Sequence, residues 1–174
     1  MRILIFVLCM VLLVGCADSH HMCPDAKYAH TRLSAAGTAY IALPADRFYG
    51  KIDYEGSGAM VARMLQAALL DHMAQVDIGP VWEKYASAGK SARQGGYTYF
   101  FFPTITHWED GATAWAGIPD KAAVRLVVID VASGNPVSSV TIEGTSGMAT
   151  SGGDHPQDLL PKPIQKYVDQ LFKG

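Results

Sequence analysis

The chain contains few cysteines, and this limits how its fold can be stabilised. Its 174 residues include three, Cys9, Cys16 and Cys23. Cys9 and Cys16 belong to the N-terminal export segment described below, so Cys23 is the one thiol left for the folded part of the chain. A single thiol cannot form an internal disulfide. We therefore expect a domain stabilised by packing, which a hydrophobic content of 49% can supply.

Long apolar runs are also scarce. The one extended run covers residues 3–14, follows the basic Arg2 and is closed by Cys16. A helix that spans a bilayer needs about 20 apolar residues, so this run is too short to serve as one. A short basic start, an apolar stretch and a small-residue end are instead the layout of a secretory signal peptide.

The end of this segment, Leu13, Val14, Gly15 and Cys16, resembles the lipobox of bacterial lipoproteins. In such proteins the cysteine is lipidated and becomes the first residue of the mature chain. We therefore predict a signal peptide over residues 1–15 and an acyl anchor on Cys16. Ala17 follows the cysteine, as in lipoproteins held on the periplasmic face of the outer membrane, whereas Asp18 leaves the inner membrane open. The alternative is an ordinary signal peptide with an incidental cysteine.

An excess of basic charge is likewise missing. Lys and Arg total 14 against 16 Asp and Glu, which gives a formal net charge of −2 at pH 7. Proteins bind nucleic acids and anionic membrane surfaces largely through basic side chains. We therefore expect no nucleic-acid partner, and we expect membrane attachment through the lipid alone.

Hydrophobic periodicity divides the mature chain into two parts. Residues 16–37 show little of it and predict a flexible tether, whose roughly 20 residues reach about 65–70 Å when extended. Residues 38–174 predict one α/β (α+β) domain with a mixed five-stranded sheet and helices packed on it, in the order β-α-β-α-β-β-β-α. The predicted strands are residues 38–44, 76–79, 97–106, 124–131 and 137–143. The predicted helices begin at the Gly56-Ser57-Gly58 motif, cover residues 81–94, and follow Pro161.

Gly56-Ser57-Gly58 allows two interpretations. Ser57 is placed to cap the helix that follows. A glycine loop that holds phosphate at a helix N-terminus is the alternative, but Val61 occupies the place of the third glycine in G-x-G-x-x-G. We therefore favour the helix cap.

Two polar clusters are the candidate functional residues. The first, in a predicted loop, contains His107, Trp108, Glu109, Asp110 and Trp115, and the second contains Asp154 and His155. Tryptophans rimmed by charge are typical of interaction hot spots, so we predict that these residues bind a protein partner. A metal site or an acid/base site that uses His107 and His155 is the alternative. Outside these clusters, the segment with His20, His21 and Cys23 offers too few ligands for a closed metal site. No catalytic motif is present in the sequence.

Several segments resemble one family of short Gram-negative lipoproteins, named domain of unknown function 4823. The resemblance covers nearly the whole mature domain. It rests on residues 40–44, Tyr54-Glu55-Gly56-Ser57-Gly58, His107-Trp108-Glu109-Asp110 with Thr113 and Trp115, Asp130-Val131-Ala132-Ser133-Gly134, and residues 153–160. The element order is also similar to lipoprotein domains of the curli-secretion and penicillin-binding-protein-activator type, a likeness of fold. We expect a non-enzymatic envelope protein without a cofactor, which binds an envelope protein or itself.

Overall fold

The computed structural model describes residues 18–28, 32–111, 119–147 and 155–173. Eight strands lie in these ranges: β1 (Ser19–Pro24), β2 (Ala39–Leu43), β3 (Arg47–Tyr49), β4 (Ile52–Tyr54), β5 (Val76–Trp82), β6 (Tyr99–Glu109), β7 (Lys121–Asp130) and β8 (Pro136–Thr145). The same ranges contain three α-helices, α1 (Ser57–Leu70), α2 (Tyr85–Gln94) and α3 (Pro161–Phe172), and short 3-10 helices at Ala26–Tyr28 and Pro156–Leu159.

The main sheet has six strands in the order β1-β8-β7-β6-β2-β5. Strand β2 pairs in parallel with β5 and β6, whereas β6, β7, β8 and β1 pair antiparallel. This confirms the predicted mixed α+β class, although the sheet has one strand more than predicted. Strands β3 and β4 form a separate hairpin, and β3 lies against β6.

The additional strand, β1, lies inside the predicted tether. Met22 pairs with Ile142 and packs against the core, and Leu33 is buried in the same core. The expectation of a flexible segment over residues 16–37 therefore differs from the structure, which includes residues 18–28 in the domain. Because Met22 is the one residue of β1 that is partly buried, the strand lacks the alternating apolar pattern that would identify it.

The sheet buries apolar side chains on both faces. Helices α1 and α3 cover one face with the larger core, to which α1 contributes Leu65 and α3 contributes Val168. Helix α2 covers part of the other face, where Ala88 and Ala92 pack against Phe100 and Ile129. Central strand β6 is buried on both faces, as its apolar residues at both parities predict.

The start of α1 corrects the predicted role of Ser57. The Asp46 carboxylate, not the Ser57 hydroxyl, accepts hydrogen bonds from the Gly56 and Gly58 backbone N–H groups, at 3.0 and 2.7 Å. Ser57 is buried, and its Oγ accepts a bond from the Arg47 N–H at 3.0 Å. Asp46 lies too far back in sequence for a local cap pattern to reveal it. Since a carboxylate already occupies this helix terminus, the phosphate-loop alternative is not supported.

The predicted helix over residues 81–94 begins later than expected. Strand β5 continues through Pro80 to Trp82, and α2 begins at Tyr85. Pro80 is tolerated because β5 is an edge strand, where a missing N–H leaves no broken ladder bond. Two exposed apolar residues, Val81 and Trp82, therefore stand at the end of a strand rather than at the start of a helix.

Candidate functional site

Three residues of the first polar cluster, His107, Trp108 and Glu109, lie on a strand rather than in a loop, because β6 extends to Glu109. The register of β6 on β7 shifts between Ile105 and His107, which is the signature of a β-bulge. One extra residue reverses the faces of everything that follows. The bulge therefore places His107 and Glu109 outward and turns Trp108 into the core.

Trp108 is 2% exposed and belongs to the larger core cluster. The prediction that Trp108 is part of a partner-binding surface is therefore wrong. A buried indole stabilises the end of the sheet and is not accessible to another protein. Trp115, Asp154 and the lipobox residues Leu13, Val14, Gly15 and Cys16 lie outside the described residues.

The remaining members of the two clusters do come together as two histidine–carboxylate pairs. His107 Nε2 lies 3.0 Å from Glu109 Oε2, and His155 Nδ1 lies 3.3 Å from Asp110 Oδ2. The second pair joins residues 45 positions apart and brings the end of β6 to the 3-10 helix that follows His155. Asp110 and His155 are thus the residues at which the two clusters meet.

The backbone around these pairs is held by further hydrogen bonds. The Asp110 N–H donates to the Tyr54 hydroxyl at 3.1 Å, which ties the end of β6 to the β3–β4 hairpin. The Asp120 carboxylate accepts from the Gly111 N–H, and the Asp158 carboxylate accepts from the His155 N–H at 3.0 Å. These carboxylates order turns at the end of the sheet, a structural role common for such residues.

The arrangement gives little support to the metal or acid/base alternative. Within the described ranges, no three His, Cys, Asp or Glu side chains are grouped so that they could hold a metal ion. Both imidazoles are partly exposed, with 36% of the His107 side chain and 57% of the His155 side chain open to solvent. Each histidine contacts its own carboxylate, which is typical of a surface ion pair.

A second surface, which the sequence did not indicate, lies at the β5 edge of the sheet. Val81, Trp82 and Tyr85 are 61%, 53% and 47% exposed, and we refer to these three residues as the β5 patch. In the part of the chain that the structure describes, no strand pairs with the outer edge of β5. The sequence contained one indication that the strand continues past Pro80. Val81 and Trp82, which follow it directly, are of residue types that fit a strand as well as a helix.

The β5 patch continues into a cleft of about 320 Å³ between α2 and the sheet. Its apolar walls include Tyr85, Phe100, Ile129 and Val131, and Lys90 and Arg93 line its rim. The Tyr85 ring meets the Phe102 ring edge-on, with centroids 5.1 Å apart. Arg93 Nη2 donates to the Val131 carbonyl oxygen at 3.4 Å, so this guanidinium is partly engaged by the protein itself.

Two tyrosines, the buried Tyr40 and the partly buried Tyr97, support the sheet beneath this surface. Burial, together with Glu83, raises the pKa of Tyr40, and burial together with the Asp77 hydrogen bond raises the pKa of Tyr97. The Tyr97 hydroxyl donates to Asp77 Oδ2 at 2.8 Å, and the Tyr40 and Tyr97 rings lie 5.3 Å apart. Both phenols are therefore neutral at physiological pH and act as packing groups.

Comparison with known proteins identifies the family. The family model described as domain of unknown function DUF4823 matches residues 31–171. The chain belongs to this family. Within this DUF4823 chain the match includes both histidine–carboxylate pairs and the β5 patch. No curated protein sequence matches the chain.

Solved structures share the fold of this DUF4823 protein at low sequence identity. The PelC dodecamer from Paraburkholderia phytofirmans has a TM-score of 0.66 at 17% identity, with 90% of this chain and 100% of PelC covered. A single-substitution PelC variant from the same organism has a TM-score of 0.65 at 18% identity, covering 88% and 98%. A DUF330 protein from Xanthomonas campestris has a TM-score of 0.51 at 13% identity, covering 87% and 90%. At these identities the likeness is one of fold.

None of the helices in the described part of the chain combines the length and the apolar character that crossing a membrane requires.

Proposed function

We propose that this DUF4823 protein is a lipid-anchored accessory protein of the bacterial cell envelope, without enzymatic activity, that associates with copies of itself through the β5 patch. The observation that carries the proposal is the position of Val81, Trp82 and Tyr85 at a sheet edge with no partner strand among the described residues. Proteins usually cover or charge such an edge, because its open N–H and C=O groups can pair with another chain. Here large apolar side chains stand beside it.

The composition of the β5 patch suits a protein interface. Trp and Tyr are enriched among the residues that contribute most to binding, and Lys90 and Arg93 supply a polar rim beside them. The continuous cleft next to Tyr85 adds a concave apolar surface into which a partner side chain can pack. Three large exposed apolar residues within five positions of the chain, next to an open sheet edge, favour an interaction site.

A second copy of the chain is the partner we propose. The open edge of β5 can pair with the same edge of a second copy, and such an isologous contact closes as a two-fold symmetric dimer. PelC, whose fold is similar, forms a dodecamer. Self-association through β5 would leave the β1 edge of the sheet accessible.

The anchor and the location follow from the lipobox. Leu13, Val14, Gly15 and Cys16 support lipidation of Cys16, and Ala17 after the cysteine favours the periplasmic face of the outer membrane. The absence of an enzymatic role is proposed because His107 and His155 each contact a separate carboxylate at a solvated surface. We propose no cofactor besides the covalent lipid, and no nucleic-acid partner.

Sedimentation velocity on a soluble chain that begins at residue 17 tests the association. The chain must begin there rather than after the predicted tether, because removal of β1 would expose the edge of β8. We expect wild-type chains to assemble as concentration rises, and Trp82→Lys to dissociate because it places a charge in the contact. A hot-spot residue contributes about 2 kcal/mol or more, so the affinity should fall on the order of thirtyfold.

Ile52→Lys is the matched control, because Ile52 is 52% exposed on the β3–β4 hairpin, outside the β5 patch. It should assemble as the wild type does. A wild type that stays monomeric, or two lysine variants that assemble equally well, would contradict the proposed interface. Trp115→Ala in the same series tests whether the loop that contains Trp115 also binds a partner, as the sequence predicts. Trp115 lies outside the described residues, so the structure does not test this prediction.

A further inference from the structure

Strand β1 fixes the position of the chain just after the predicted lipid site. Ser19 pairs with Thr145 at the last position of β8, and Asp18 Oδ1 accepts a hydrogen bond from the Gly147 N–H at 3.1 Å. Thr145 pairs with Lys121 at the start of β7, and Lys121 pairs with Glu109 at the end of β6. Ser19, Thr145, Lys121 and Glu109 therefore form one row across four strands, which we refer to as the terminal row.

The distance from this row to the lipid is short. Cys16 and Asp18 are two residues apart, and an extended chain spans at most about 3.6 Å per residue, so their Cα atoms lie within about 7 Å. The opposite end of the sheet is much farther away. Strand β7 runs from Lys121 to Asp130, and at about 3.3 Å per residue its length is roughly 30 Å.

We propose that the terminal row and the adjoining His155–Asp110 pair face the phospholipid headgroups of the membrane that holds the acyl chains of Cys16. This inference rests on the proposed lipid anchor and adds an orientation to it. The domain stands on the bilayer by one end of its sheet, with the β7–β8 turn at residues 131–135 pointing away. In this arrangement, the lipid site and the domain are joined by a connection of two residues, not by the 65–70 Å tether expected from the sequence.

The charge at this end shows that the anchor, rather than surface attraction, must hold it there. Asp18, Glu109, Asp110 and Asp120 lie in or next to the terminal row, and Lys121 is the cation within it. Acidic side chains are repelled by anionic headgroups, and basic clusters are what attract them. The domain without its lipid should therefore not bind vesicles.

Fluorescence quenching on liposomes tests the orientation. The mature lipidated protein, with Cys23→Ser to remove the exposed thiol, carries one new cysteine for a fluorophore, either Lys121→Cys or Asn135→Cys. The liposomes contain phosphatidylethanolamine, phosphatidylglycerol and a lipid with a spin-labelled headgroup. We expect the label at residue 121 to lose most of its fluorescence, whereas the label at residue 135 should keep nearly all of it.

A flexible Gly/Ser linker of about 20 residues, inserted between Ala17 and Asp18, provides the matched control. Its root-mean-square length is about 25 Å, so it should abolish the difference between the two labels while the protein still sediments with the liposomes. Equal quenching at both labels without the linker, or unchanged quenching at residue 121 with it, would overturn the orientation. Protein that stays in the supernatant would instead refute the lipid anchor, and with it the orientation.

Discussion

Replacement of Trp108 by alanine is the most informative perturbation of this fold. Trp108 is 2% exposed, and the residues next to it across the sheet, Ala122 and Gly144, are small. Neither neighbour can fill the space that the indole leaves. Tryptophan-to-alanine changes in cores cost about 3–5 kcal/mol, and a site that cannot collapse belongs near the middle of this range or above it. We expect Trp108→Ala to lower the free energy of unfolding by about 4 kcal/mol.

Urea unfolding followed by circular dichroism measures this change. For a domain of this size, about 4 kcal/mol corresponds to a melting temperature lower by roughly 10–15 °C. The loss is a large part of the roughly 5–15 kcal/mol that stabilises a typical domain. The slope of the unfolding free energy against urea concentration should stay unchanged if the native and unfolded ensembles keep their compactness.

Two controls separate a buried indole from a surface one. Trp82→Ala removes the same side chain at a position that is 53% exposed, and it should cost about 0.5 kcal/mol or less in the monomer. His107→Ala, next to Trp108 on the outward face, should also cost little. If Trp108→Ala is no more destabilising than Trp82→Ala, the bulge between Ile105 and His107 is misplaced and Trp108 faces solvent.

Three further predictions concern hydrogen bonds that join separate elements. Asp46→Ala should lower the free energy of unfolding by about 1–2 kcal/mol in urea titrations, because two backbone N–H groups at the start of α1 lose their acceptor. Asp46→Asn keeps one acceptor oxygen, so it should recover part of this loss. Hydrogen bonds from His72, Gln165 and Lys173, of which that of His72 has the largest effect, lower the pKa of Asp169 from 3.8 to about 2. Asp169→Asn should therefore be less stable than wild type above about pH 4, and thermal melts should show this difference vanishing as the pH falls towards 2. Burial raises the pKa of Tyr167 to about 12, and its hydroxyl lies 2.7 Å from the buried Ser138 Oγ. Tyr167→Phe should lower the free energy of unfolding by about 1–3 kcal/mol, because Ser138 loses this partner, and adding Ser138→Ala should restore part of the stability. If the effects of the two substitutions simply add in the double variant, the two hydroxyls are not coupled and the prediction is contradicted.

Those parts of the fold that depend on local apolar periodicity were predictable from the sequence. The apolar stripe of α3, with Ile164, Tyr167, Val168 and Leu171, is buried as expected. Strand β8 buries Val140 and Ile142 and keeps Glu143 exposed, in agreement with its alternating pattern. In both elements the residues that face the core are set by the geometry of the element itself.

Features that depend on a distant partner were not predictable in the same way. Strand β1 is defined by backbone pairing with β8, more than one hundred residues later in the chain. The Asp46 cap reaches α1 across the β3–β4 hairpin. Neither the strand pairing nor the helix cap leaves a periodic pattern in the local sequence. The sequence therefore predicts a tether for the first segment and a loop for the second.

The candidate site shows how one residue can reverse an interpretation. Charged neighbours made Trp108 resemble an exposed hot spot, yet the extra residue before His107 turns it inward. The contact between Asp110 and His155 joins residues 45 positions apart, so no local pattern could predict it. The exposed position of Trp82 was missed because its assignment depended on whether Pro80 ended the preceding strand.

The antiparallel pairing of β1 with β8 also determines how the protein responds to mechanical force. Tension between residue 18 and the β7–β8 turn at the far end of the sheet acts along the axis of β1, across the six residue pairs from Ser19 to Pro24. Hydrogen bonds between antiparallel strands lie perpendicular to that axis, so they are loaded together in shear rather than opened one after another. A pull along this axis from the N-terminal side therefore meets the collective resistance of the whole strand, and β1 acts as a mechanical clamp.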